Sequence, residues 1–132
     1  MKLEKLLPLF REMVCKLEEL DGYLFVDRLN EGAASLRQRK NKYAMPSEAQ
    51  CWMNTVLIDL LITDIVGDEW DLTDPAVGEL LSIFEIMWSC QVHAKYPNAR
   101  FKINKIIDAE YGDVGLQLLS FPDEFNYEVH HG

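Results

Sequence analysis

The sequence predicts an all-α fold: a single compact bundle of about five helices, two of them largely buried at its centre. Three observations carry that expectation. Apolar residues recur at three- and four-residue steps through most of residues 2–111. Helix-start signals stand at Pro46-Ser47 and Asp74-Pro75. Two segments, 48–66 and 75–93, are apolar on nearly every side, as central helices of a bundle are.

In order, Leu3, Leu6, Leu7, Phe10, Met13, Val14, Leu17 and Leu20 form one apolar face of a helix over 2–20. Pro8 falls in its first turns, and Asp21-Gly22 reads as its stop. Residues 23–38 continue as helix, with Gly32 able to split them. Arg37-Gln38-Arg39-Lys40-Asn41-Lys42 reads as a polar loop or a frayed helix end, solvated or serving as an ion-pair partner. Ser47 is placed to cap the next helix, with Gln50 as its capping-box partner. That helix runs to about Val66, before Gly67. It is apolar on nearly every side, through Cys51, Trp52, Met53, Val56, Leu57, Ile58, Leu60, Leu61, Ile62 and Ile65, and leaves a narrow polar stripe through Thr55, Asp59 and Thr63.

After a connection over 68–74, Asp74 reads as N-cap and Pro75 as the first helical residue. Val77, Leu80, Leu81, Phe84, Met87, Trp88 and Val92 then mark the apolar part of a helix that ends before Pro97, with Ser82, Glu85 and Ser89 on a narrow outer stripe. Asn98 can cap another helix to about Tyr111, although the alternation in Arg100-Phe101-Lys102-Ile103 leaves a strand open there. Beyond Gly112, Val114, Leu116, Leu118 and Leu119 fit a short helix or strand. The domain spans 1–132, with 121–132 as an acidic, aromatic tail.

At 132 residues and 48% hydrophobic, the chain fits one domain with a real core. Its net charge of −9 argues against a general nucleic-acid binder and against docking on an anionic membrane. The charge is also segregated. Residues 1–45 hold nine basic and seven acidic side chains, whereas 46–132 hold four basic and fifteen acidic. No Lys or Arg occurs from Tyr43 to Ala94, a stretch with nine acids. A single-sign field costs self-repulsion but speeds encounter with an opposite charge.

Motifs for chemistry are missing. There is no Walker loop, no dinucleotide fingerprint and no nucleophile elbow. Cys90-x-x-His93 lacks a second ligand pair, and Asp68-x-x-Asp71-x-x-Asp74 is not spaced like a calcium loop. The expectation is therefore no enzyme, no cofactor and no metal. Cys15, Cys51 and Cys90 are too few and too widely spaced for a disulfide framework, and Cys15 and Cys51 fall among apolar residues. Reduced thiols, no leader segment and no long apolar span give a cytoplasmic protein as the expectation.

Trp70 stands between Glu69 and Asp71 in the connection. Such a tryptophan either tucks into its own core or anchors a partner. The expected partner-binding residues are Asp68, Glu69, Trp70, Asp71 and Asp74, with Glu124 and Tyr127 of the tail as a second acid–aromatic group. In size, acidity and lack of catalytic motifs the whole chain resembles the bacterial immunity proteins of contact-dependent and other polymorphic toxin systems. The resemblance implies a tight complex with a basic toxin domain, such as a nuclease. The alternatives are a nucleic-acid mimic of anti-restriction or anti-CRISPR type and an acidic adaptor or complex subunit.

Overall fold

A computed structural model describes residues 3–122. The expected all-α bundle is not what forms. Five α-helices are present, but five strands stand among them in two antiparallel sheets. Helix α1 (Leu7–Met13) follows a short 3-10 turn, then come β1 (Leu17–Leu20), β2 (Tyr23–Val26), α2 (Ala33–Lys40) and α3 (Pro46–Met53). They are followed by β3 (Thr55–Leu57), α4 (Asp59–Val66), α5 (Pro75–Lys95), β4 (Arg100–Asp108) and β5 (Asp113–Phe121).

The expected helix over 2–20 ends at Met13 because Asp21-Gly22 is a hairpin turn and not a helix stop. Leu20 pairs with Tyr23 across it, and Asp21 (φ 54°) and Gly22 (φ 86°) are both left-handed. That is the backbone of a type I′ turn, which matches the twist of two flanking strands. Strand β2 replaces the helix expected from residue 23. Strand β2 is covered on both faces, and β1 sends Leu17 and Leu20 to opposite sides. Leu17, Leu24 and Val26 join the main core, whereas Leu20 and Phe25 pack with Leu36, Ala49 and Met53 from α2 and α3. A strand covered on both sides reads as a continuous apolar run, so Tyr-Leu-Phe-Val carries no polar alternation.

The single helix expected over 48–66 is two helices separated by β3, whose Thr55, Val56 and Leu57 pair with Gln117, Leu116 and Gly115. The expected capping box also fails. Helix α3 starts at Pro46, Met45 stands at the cap without a side-chain bond, and Gln50 is buried elsewhere. The helix expected from Asn98 is a nine-residue strand, β4, paired along its whole length with β5. Other boundaries hold. Asp74 caps α5 by accepting the Ala76 N–H at 2.9 Å, the helix stops before Pro97, and Gly67 (φ 87°) closes α4.

The larger sheet has the order β3–β5–β4. Helix α5 crosses one face, burying Val77, Leu81, Phe84, Trp88 and Val92 against Val56, Val114, Leu116 and Leu118. Helix α1 is tied to α5 by polar bonds. The Trp88 indole N–H donates to the Glu12 carbonyl at 2.9 Å, and the Gln91 amide donates to the Met13 carbonyl at 2.9 Å.

The hairpin and the larger sheet meet along a buried polar seam. Asn54 Nδ2 donates to the carbonyls of Leu24 (2.8 Å) and Leu118 (3.0 Å), while its Oδ1 accepts the Val26 N–H at 2.9 Å. One turn earlier, Gln50 Nε2 donates to the Leu24 carbonyl and to Ser120 Oγ, and Gln50 Oε1 accepts the Ser120 N–H. Ser120 Oγ also accepts the Leu24 N–H at 2.9 Å. A carboxamide carries the same donor and acceptor types as a peptide unit. The two side chains therefore stand in for a ladder between β2 and β5, which are not paired directly.

Candidate protein interface

The connection between α4 and α5 holds five of the expected site residues, and the structure shows how it is built. Trp70 is half-buried, packed against the main core, and its indole Nε1–H donates to Thr63 Oγ1 at 2.8 Å. Leu72 packs beside that core as well. These two side chains fasten the loop at alternate positions. Asp68, Glu69, Asp71 and Asp74 are left exposed. Two of the four have local duties. Asp71 Oδ1 accepts the Thr73 N–H at 2.9 Å, and that hydrogen bond holds its carboxyl below the usual aspartate range. Asp74 caps α5. Asp68 and Glu69 have no such role and point their charge at solvent.

Charge pairing sets this connection apart from four acids of the N-terminal half. Glu12 holds Arg28 through two bonds, the shorter 2.6 Å, which raises the guanidinium pKa. Glu31 pairs with Arg39 at 2.7 Å. Asp21 pairs with Lys40 at 2.6 Å and Arg37 at 3.3 Å, and those bonds, Lys40 first, lower its carboxyl pKa. The buried Asp27 carboxylate accepts the N–H groups of Glu31 and Gly32 and faces Lys16. The basic run 37–42 therefore supplies ion-pair partners, to acids of the N-terminal half. By contrast, Asp64, Asp68, Glu69, Asp71, Asp74 and Glu79 form no ion pair with any described residue. Of the nine acids between Tyr43 and Ala94, Glu85 alone meets a described cation, Lys105 at 3.5 Å.

The tail residues Glu124 and Tyr127 lie outside the described residues. Where the chain reaches Pro122 there is a cleft of about 380 Å³, lined by Glu19, Lys95, Tyr96, Arg100 and Phe121 among others. It mixes both signs of charge, and Lys95 is already engaged with the Leu17 carbonyl at 2.6 Å. A third surface escaped sequence reasoning. Leu7, Phe10 and Val14 around α1, and Ile83, Ile86 and Met87 on α5, are exposed apolar side chains. Helical spacing put Leu7, Phe10, Val14 and Met87 on apolar faces in the sequence, but the sheet occupies the other side of α5 and leaves Met87 exposed beside Ile83 and Ile86.

The cysteines are free. Cys15 is buried, and burial pushes its thiol up to about 12. Cys51 is half-buried and Cys90 is exposed. His93 lies edge-on to Phe101 with ring centroids 5.0 Å apart, an aromatic contact between α5 and β4. Among the described residues no helix is long and apolar enough to cross a membrane. Comparison with protein-family models, with curated proteins and with solved structures finds no match to this chain.

Proposed function

We propose that this protein is a cytoplasmic stoichiometric inhibitor of the immunity-protein kind, which binds a basic toxin domain, such as a nuclease, through the acidic connection between α4 and α5. The observation that carries the reading is the unequal pairing of charge. Four of the seven acids in residues 1–45, namely Glu12, Asp21, Asp27 and Glu31, meet cations within the chain, whereas the six acids over 64–79 meet none among the described residues. Unmatched carboxylates keep their self-repulsion in the free protein and gain most when a basic surface arrives. The connection that carries Asp68, Glu69, Asp71 and Asp74 is fastened by Trp70 and Leu72, and Asp64 and Glu79 stand on the flanking helices, so little ordering entropy is lost on binding. Carboxylates standing where phosphates would lie block a nuclease groove without any chemistry by the inhibitor. The four central acids lie within one seven-residue connection, which favours a compact patch over the extended row that a nucleic-acid mimic requires.

The test isolates the protein that co-purifies with this chain from its source cell and follows their association by stopped flow at several salt concentrations; a co-purifying partner without a basic surface would also overturn the reading. Asp71 and Asp74 are left intact because they hold the loop and α5. In the variant Asp64→Asn, Asp68→Asn, Glu69→Gln, Glu79→Gln, the association rate is expected to fall at least tenfold at low salt, and its salt dependence to flatten. An unchanged, salt-independent rate would overturn the acidic-interface reading.

A further inference from the structure

We propose that the outer edge of β4 pairs with the β4 edge of a second copy of this chain, forming a two-fold dimer with a continuous six-stranded sheet. The proposal is independent of the acidic connection.

The backbone directions decide which groups are available. On the inner side of β5, the Ile58 N–H donates to the Val114 carbonyl, and the Leu118 N–H donates to the Asn54 carbonyl. Even-numbered residues of β5 therefore face β3, and odd-numbered ones face β4. In the β4–β5 register the odd residues of β5 stand opposite Arg100, Lys102, Asn104, Ile106 and Asp108. The N–H and C=O groups of Phe101, Ile103, Lys105 and Ile107 are thus turned outward. Among the described residues no strand pairs with that edge. An edge nine residues long is a template for a further strand unless something blunts it.

The sequence of the edge is complementary to itself. Antiparallel pairing about a two-fold axis at Asn104 uses all four outward-facing residues of both copies. Ile103 then stands opposite Lys105 and Phe101 opposite Ile107 on the face that carries α5. On the other face, Arg100 stands opposite Asp108, Lys102 opposite Ile106 and Asn104 opposite Asn104. No like charges meet directly, and the two ends carry opposite ones. Shifting the axis to Lys105 would instead set two lysines against each other, which is unfavourable. Lysines on an edge commonly deter pairing. Here Lys105 is drawn towards α5 by Ser82 (2.8 Å) and Glu85 (3.5 Å), which leaves the backbone beside it accessible. Ile107 is 48% exposed in the single chain, and pairing would cover it with Phe101 of the second copy.

Two measurements test the proposal. The first is the molar mass of the full chain by sedimentation over a concentration series. A monomer–dimer equilibrium is expected, and Asn104→Lys, which sets two cations together on the axis, should raise its dissociation constant about tenfold. The second fixes the register by cross-linking in a Cys51→Ser, Cys90→Ser background, with copper–phenanthroline as the oxidant. Cys15 does not compete because it is buried. Directly opposed residues of an unbonded antiparallel pair lie close enough for a disulfide. Asn104→Cys should therefore cross-link to itself. Lys102→Cys and Ile106→Cys should cross-link when mixed and not when alone. Circular dichroism checks that each variant is folded. A chain that stays monomeric at every concentration overturns the proposal. So does a dimer that ignores Asn104→Lys and yields none of these cross-links, which would place the contact on another face, such as the apolar one of α1 and α5.

Discussion

The seam between β2 and β5 and the connection between α4 and α5 treat polar groups in opposite ways. In the seam, Gln50, Asn54 and Ser120 are buried, and each of their side-chain polar atoms has a partner. In the connection, Asp68 and Glu69 are exposed with no partner among the described residues, on a loop held from beneath by Trp70. Buried polar groups with complete bonding specify how two layers meet, since a shift of either layer leaves a desolvated donor or acceptor. Exposed unmatched charges specify nothing internal. The first region accounts for the fold, and the second is free to serve a partner.

The largest expected effect falls in the seam. Asn54→Ala leaves the Val26 N–H and the Leu118 carbonyl without the side chain that bonds them, and opens a void where the two sheets meet. The expected loss is on the order of 4 kcal/mol in urea denaturation. A loss below about 1 kcal/mol would mean that water replaces the carboxamide and that the seam does not specify the packing. Gly115→Ala is the next test. A Cβ there would stand 2.1 Å from the Val56 carbonyl oxygen, within the pairing of β3 and β5. Backbone must move to admit it, at an expected cost of about 2–3 kcal/mol. Amide exchange should report the damage at Thr55–Leu57 first.

Within the connection, the anchor and the charges should separate. Trp70→Ala removes a core contact and the bond to Thr63, with an expected cost of about 2 kcal/mol. The fourfold neutralisation of Asp64, Asp68, Glu69 and Glu79 should leave stability within about 1 kcal/mol of wild type, because surface substitutions without partners change little. If the two variants destabilised the chain equally, the connection would be a structural element like the seam, and the contrast between them would fail.

Parts of this arrangement are legible in the sequence. Asp74-Pro75, the 77–92 stripe and the stop before Pro97 define α5 almost to the residue, because a 21-residue helix shows its period many times over. The acidic connection is equally visible as a stretch without Lys or Arg. The strands are hidden for separate reasons. Leu17-Glu-Glu-Leu20 has helical spacing, and its partner β2 is apolar throughout because both faces are covered. The signal that could have found this hairpin is Asp21-Gly22 between two short runs, a two-residue turn pair. Thr55-Val56-Leu57 lies between two apolar helices, and three residues are too few to show a period of two. Gln50 resembles a capping-box residue because capping and bridging use the same carboxamide. Only the long-range partners at Leu24 and Ser120 tell the two roles apart.

The smallest expected effect concerns the paired charges. Hydrogen bonds from Lys40, and secondarily from Arg37, lower the Asp21 pKa from 3.8 in the folded chain. The unfolded chain therefore takes up a proton there more readily than the folded one. The stabilisation is fully present above the unfolded pKa of about 4 and is lost as pH falls through the lower folded value. Asp21 also occupies a left-handed turn position (φ 54°), where asparagine is equally at home, so Asp21→Asn removes the charge and keeps the turn. The stability difference between wild type and Asp21→Asn, measured by urea denaturation, should be constant near neutrality and shrink as pH drops below about 4. Repeating the pair in a Lys40→Met background should remove most of that pH dependence, since Lys40 is the larger cause of the shift. A difference that stays flat to the lowest pH at which the protein folds would show that the Asp21–Lys40 contact is too solvated to matter. The N-terminal surface would then hold its cations no more firmly than the acidic connection holds its unmatched acids.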